Sequence, residues 1–166
     1  MYHDMAKKIF VNPVPCTGCM CCEAACALSR AGSQDPAASA IRVTLDPFGG
    51  TQRHAYCRQC GSPSCAAVCP QGAIARDEVT GAWRIDLSLC VRCGLCVQAC
   101  PFGAMHWLGD GPMKCDLCGG SPACVRACAF GAIRFLEHDD PDALFHGIPA
   151  TEQDPLLGRG PAPAVD

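Results

Sequence analysis

Sixteen of this chain's cysteines fall into four runs, and in each run three residues separate the last two. The runs are Cys16, Cys19, Cys22, Cys26; Cys57, Cys60, Cys65, Cys69; Cys90, Cys93, Cys96, Cys100; and Cys115, Cys118, Cys124, Cys128. Their spacings are x2-x2-x3, x2-x4-x3, x2-x2-x3 and x2-x5-x3, with Pro70 and Pro101 following the second and third runs. Gly72-Ala73-Ile74, Gly103-Ala104-Met105 and Gly131-Ala132-Ile133 each begin three residues after a last cysteine, whereas Cys26 continues as Ala27-Leu28-Ser29-Arg30. Cys60-Gly61-Ser62-Pro63-Ser64-Cys65 is echoed by Cys118-Gly119-Gly120-Ser121-Pro122-Ala123-Cys124. Such self-similarity predicts one unit used four times: a loop, a short helix carrying the last two cysteines, then a brief strand. The strand candidates are Ile9 to Asn12, Ile41 to Leu45, Ala73 to Ala75, Trp83 to Asp86, Met105 to Leu108 and Ala132 to Leu136, with turns at Val79-Thr80-Gly81 and Gly109-Asp110-Gly111-Pro112. Ser29 to Ala40 reads as a polar, Ala-rich link.

Seventeen cysteines in 166 residues signal either disulfides or metal. Met1 to Phe10 lacks the apolar run of a secretory signal, and no stretch approaches the roughly 18 apolar residues of a membrane span. The expectation is a cytoplasmic chain with reduced thiols and no direct membrane span. With 6% aromatic residues, hydrocarbon is thin material for a core, which inorganic cofactors can fill and hold. Cysteines at i, i+3 and i+6 on a curling loop can wrap three corners of an iron–sulfur cubane. The third run, Cys90 to Pro101, matches the C-x2-C-x2-C-x3-C-P pattern of [4Fe–4S] ligation at every position. Structural zinc also uses C-x2-C knuckles, but does not crowd four cysteines into so short a stretch four times over. Four clusters are expected, shifting the formal charge of −3 to roughly −11. A basic nucleic-acid footprint is absent.

With these runs in order, the second and fourth lengthened and the last opening Lys114-Cys115-Asp116-Leu117-Cys118, the sequence resembles a family over about residues 6–136. The family is the four-cluster ferredoxin-type subunits accompanying molybdenum and tungsten oxidoreductases, hydrogenases and carbon monoxide dehydrogenases. The resemblance implies an α+β fold of two bacterial-ferredoxin-like, pseudo-two-fold lobes, with short strands and helices around the clusters. Residues 1–136 would form this domain: an outer lobe from about 1–45 and 110–136, and an inner lobe of about 46–109. From 137 to 166 the chain is rich in Pro, Asp and Gly and reads as an arm or a disordered tail. The resemblance further implies crossed ligation, in which Cys16, Cys19 and Cys22 share a cluster with Cys128. Cys115, Cys118 and Cys124 would then take Cys26; Cys57, Cys60 and Cys65 would take Cys100; and Cys90, Cys93 and Cys96 would take Cys69. The inner pairing has separate support, because only twenty residues join the second and third runs and both end in Cys-Pro. Cys26 and Cys128 precede alanine instead, and Cys21 is an additional thiol read as a non-ligand.

Arg58, Arg92, Lys114 and Arg126 sit beside or near ligands and would raise cluster potentials, unless they are plain surface charges. The five histidines, including His54 and His106, read as surface or boundary residues, and Trp83 and Trp107 as packing. No nucleophile–base pair, Walker loop or dinucleotide fingerprint is present. The expectation is a non-catalytic electron-transfer subunit. Its partners would be a catalytic oxidoreductase subunit, with tungsten or molybdenum aldehyde or formate enzymes favoured, and a donor or acceptor protein or flavin subunit. A free polyferredoxin carrier, a hydrogenase- or carbon monoxide dehydrogenase-linked subunit and, remotely, a structural zinc protein are the alternatives.

Overall fold

Short apolar runs punctuated by glycine turns pair mostly with near neighbours. The computed structural model, which describes residues 7–137, shows four separate two-stranded antiparallel sheets. β1 (Lys8–Val11) pairs with β8 (Ile133–Leu136), joining the two ends of the described chain. The other three sheets are hairpins: β2 (Ile41–Asp46) with β3 (Thr51–Tyr56), β4 (Ile74–Arg76) with β5 (Trp83–Ile85), and β6 (His106–Leu108) with β7 (Gly111–Met113). Asp46 and Asp77 fold two of the turns by accepting backbone N–H groups, from Phe48 and Gly49 and from Val79 and Thr80.

Strands β3 and β7 were not anticipated. Residues 51–56 alternate no apolar face, being half-buried almost throughout, and are held by register with β2. Gly111-Pro112-Met113 carries turn residues, yet a two-residue loop at Gly109-Asp110 places it opposite β6, and all three residues are buried.

Among the described residues each cysteine run carries an α-helix that takes in its third cysteine. α1 (Cys21–Ala31) is the longest, favoured by its Ala-rich sequence and stopped by Gly32 at φ 67°, whose N–H bonds the Leu28 carbonyl. It takes in the first three residues of the expected link, and a 3-10 turn over Pro36–Ala38 follows. Cys22, Glu23, Cys26 and Ala27 form its buried face; Ala27 is fully buried, and the helix packs on α4 (Ala123–Ala127). α2 (Ser64–Ala67) and α3 (Leu95–Ala99) pack on each other.

The last cysteine lies inside the helix only in α1. Cys100 is extended at φ −77°, ψ 111°, because the following proline disfavours helical geometry before it. Cys128 is also extended, at ψ 94°, with alanine after it.

The glycine of each Gly-Ala-Ile or Gly-Ala-Met repeat then turns the chain. Gly72, Gly103 and Gly131 have φ near 60° and bond the carbonyl of the last cysteine. The alanines behind them, Ala73, Ala104 and Ala132, are buried, as are Ile74, Met105 and Ile133. The first run has its echo at a distance, which adjacent sequence could not reveal. Ser39-Ala40-Ile41 is buried in the same sense, and the Ala40 N–H reaches Cys26 Sγ at 3.3 Å, as Ala73 N–H reaches Cys69 Sγ at 3.3 Å.

The apolar residues gather in two clusters, and cysteines belong to both. Cys22, Cys26 and Cys124 pack with Ile9, Val43 and Leu117, and Cys96 packs with Ile74 and Met105. Gln59 ties the chain's second and fourth runs together. It is 3% exposed; its Oε1 accepts from Trp83 N–H at 2.8 Å and its Nε2 donates to the Cys115 carbonyl at 3.1 Å. Gln59→Ala leaves the buried Trp83 N–H unpaired and the Cys115 carbonyl with only the longer Lys114 bond, for a loss of about 1–3 kcal/mol. Anaerobic thermal unfolding should show a clearly lower midpoint, with no change in Gln98→Ala at an exposed helix position.

Candidate iron–sulfur cluster sites

Two partly open hollows are lined by four cysteines each. The first, of about 340 Å³, is bordered by Cys69, Cys90, Cys93 and Cys96 together with Pro70, Ala73, Ile74 and Pro112. The second, of about 390 Å³, is bordered by Cys57, Cys60, Cys65 and Cys100, with Arg58, Trp83, Phe102 and Lys114. In each hollow three cysteines come from one run and the fourth from the other. The packing of α2 on α3 produces this exchange, since each last cysteine sits at or just beyond a helix end facing the neighbouring loop.

Among the outer runs, Cys22 has Cys16 and Cys128 as electrostatic neighbours, and Cys21 has Cys19 and Cys128. Cys124 has Cys26, Cys118 and Cys22 beside it, and Cys115 has Cys57, Cys124 and Cys26. The antiparallel β1–β8 pair and the α1–α4 contact bring these two distant stretches together. Arg30 at the end of α1 adds an ion pair to Asp116 at 3.0 Å.

The loops share one backbone device. The residue two after the first cysteine has positive φ in all four runs: Gly18 (71°), Gln59 (47°), Arg92 (57°) and Leu117 (59°). This left-handed step curls the chain, and for the three non-glycine residues it costs about 1 kcal/mol each. It also turns backbone N–H groups toward sulfur. Gly18, Arg92 and Leu117 donate to Cys16, Cys90 and Cys115 Sγ, each at 3.4 Å. Such donors favour an anionic, metal-bound thiolate over a neutral thiol.

The donor set is otherwise poorly suited to free thiols. Burial, reinforced by neighbouring groups, pushes Cys22 and Cys124 up to about 12 and Cys115 further still. Burial also raises Cys60, Cys65 and Cys96. Thiols so crowded ionise only if positive charge joins them, and iron supplies it. Four thiols around each inner hollow fit the separate corners of a cubane, and all seventeen cysteines are free thiols.

The remaining singled-out residues divide. Lys114 and Arg58 face the second hollow, whereas Arg92 pairs with Asp110 at 2.9 Å on the surface and Arg126 bonds Ser121. Cys21 is exposed at the start of α1, beside Cys19. Trp83 is half-buried and donates its indole N–H to the Cys60 carbonyl at 2.9 Å, while Trp107 is 45% exposed.

His54 differs from its reading as an ordinary boundary residue. Its Nε2 lies 3.2 Å from Cys16 Sγ, and burial and Arg58 push its pKa down to about 4. Only the β2–β3 register puts it there, opposite Val43, so no local sequence signal marked it. Gln59 carried no local signal either, because its partners Trp83 and Cys115 are reached only through distant packing.

Comparison with known proteins agrees with this chemistry. The profile of a family described as a 4Fe–4S dicluster domain matches residues 56–104. The polyferredoxin-like subunit of an aliphatic sulfonate oxidoreductase from Pyrococcus furiosus is 41% identical over 117 residues, covering 69% of this chain and 66% of that protein. A putative electron transport protein of Escherichia coli K12, YsaA, is 38% identical over 125 residues, covering 69% of this chain and 77% of that one. The beta subunit of an NADH-dependent phenylglyoxylate dehydrogenase from Aromatoleum evansii is 38% identical over 120 residues, 70% of this chain but 27% of that subunit. The chain thus spans about two thirds of the first of these relatives and about a quarter of the last. With cysteine-lined hollows, thiolate-directed amides and these relatives in agreement, the chain belongs to the ferredoxin-type family of electron-transport proteins and uses [4Fe–4S] clusters as its cofactor.

Proposed function

We propose that this protein is a non-catalytic subunit that relays single electrons through four [4Fe–4S] clusters between a catalytic oxidoreductase subunit and a redox partner. The observation that carries the reading is the pair of hollows, each lined by four cysteines exchanged between neighbouring runs. The proposed ligand sets are Cys57, Cys60, Cys65 and Cys100; Cys90, Cys93, Cys96 and Cys69; Cys16, Cys19, Cys22 and Cys128; and Cys115, Cys118, Cys124 and Cys26. A [4Fe–4S] cluster supplies a one-electron couple; the polypeptide sets its spacing, potential and exposure. The α1–α4 and β1–β8 contacts support an outer lobe, and the α2–α3 contact an inner lobe, related as in two ferredoxin units.

The family resemblance favours a tungsten or molybdenum aldehyde or formate enzyme as the catalytic partner, with a carrier protein or flavin subunit at the other end. Its working site would be the cytoplasm; no helix among the described residues is long and apolar enough to cross a membrane. Purification from the source organism without oxygen tests the assignment. An oxidoreductase subunit should accompany the chain, and recovery of the chain alone would favour a freely diffusing carrier.

Two substitutions test the ligand sets. Cys100→Ser should abolish or convert the cluster whose other ligands are Cys57, Cys60 and Cys65, read as the loss of one electron paramagnetic resonance signal. Damage confined to the cluster of Cys90, Cys93 and Cys96 would contradict the exchange. Cys21→Ser should leave the iron content unchanged at about sixteen per chain, and loss of about four irons would make Cys21 a ligand.

A further inference from the structure

The two inner hollows resemble each other in size and ligand pattern but not in charge. The seven residues that line the first around its four cysteines are all apolar, glycine or proline, among them Ile74, Ile85 and Val91, and none is charged. Arg92, adjacent in sequence, points away to Asp110 at the surface. The second hollow is flanked by two cations, Lys114 and Arg58.

Lys114 is 4% exposed. Its Nζ donates to the carbonyls of Trp83 and Cys115, and among the described residues no carboxylate pairs with it. A buried ammonium with only carbonyl partners is costly by several kcal/mol unless an anion lies nearby. The charges it faces are those of Cys60 and Cys65. Arg58 is held over the Tyr56 ring, 4.0 Å from its centroid, and 5.5 Å from that of Phe102, bonding the Tyr56 hydroxyl. Among the described residues no carboxylate pairs with either cation, so both fields act on what fills the hollow.

We propose that Lys114, assisted by Arg58, raises the reduction potential of the cluster held by Cys57, Cys60, Cys65 and Cys100 above that of its inner partner held by Cys69, Cys90, Cys93 and Cys96. An added electron makes a cluster more anionic, and a fixed nearby cation stabilises that state. The higher-potential cluster is then where an electron entering the inner pair comes to rest. Lys114 also adjoins Cys115, so the same ammonium stands between the inner pair and the fourth run. The inference rests on the ligand sets proposed above.

The test is an anaerobic redox titration of the full-length holo-protein, followed by electron paramagnetic resonance, for wild type, Lys114→Met, Lys114→Arg and Arg58→Gln. Lys114→Met should lower the midpoint of one signal, changing its reduced-to-oxidised ratio at fixed potential tenfold or more, which is about 59 mV for a one-electron couple. Lys114→Arg should stay near wild type. Arg58→Gln should move the same signal in the same direction by less, and it serves as the test if Lys114→Met loses iron. No shift in that signal, an upward shift, or equal shifts in all signals would overturn the proposal. Cys100→Ser separates this from the ligand sets. If it removes a signal that Lys114→Met leaves unmoved, the cation idea fails and the ligand sets stand. If Lys114→Met moves a signal that Cys100→Ser retains, the ligand sets fail.

Discussion

Crowded thiolates that need iron to ionise are the constraint on which this fold depends. In most domains of this size, leucine and phenylalanine fill the centre. Here Cys22, Cys26, Cys96 and Cys124 hold core positions, and the buried hydrocarbon between them is largely alanine, isoleucine and valine. Sheets of two strands and helices of four or five residues, α1 excepted, cannot sustain themselves. In the proposed ligand sets, metal–thiolate bonds would tie residues far apart in sequence and supply the cohesion that the small apolar clusters lack.

That dependence explains the repeated backbone geometry. The loops must present sulfur atoms outward from a tight curl, and one left-handed residue two places after the first cysteine curls all four and aims its amide at sulfur in three. Arg92 and Leu117 accept this conformation although neither is glycine, so the strain is offset by the bonds the loop makes. Burial raises the thiol pKa values in the same places where amides favour the anion. The two influences are reconciled only when positive charge occupies the hollow.

Much of this was legible in the cysteine spacing because three corners of a cubane translate directly into i, i+3, i+6. The Gly-Ala-Ile and Gly-Ala-Met repeats likewise marked where a brief strand follows three of the runs. What spacing could not show was anything set by register or by distant packing. His54 reaches Cys16, and Gln59 reaches Cys115 and Trp83, through contacts of 38, 56 and 24 residues in sequence. Ser39-Ala40-Ile41 stood in for the missing echo because α1 runs on past Cys26, so the equivalent residues moved away from the run. β3 and β7 lacked a pattern of their own and took strand form from their partners.

Chemical differentiation sits on top of this repetition. Similar ligand loops are surrounded by dissimilar side chains: two cations at one inner hollow, none lining the other, and a histidine at Cys16. A chain that repeats its ligands but varies its surroundings can give each cluster its own potential, which directed transfer requires. The most direct test of the account is the iron and acid-labile sulfide content of the anaerobically purified chain, with Mössbauer spectra of the same sample. About sixteen of each per chain, all in [4Fe–4S] spectra, is the expected result; about eight, or zinc without labile sulfide, would contradict it.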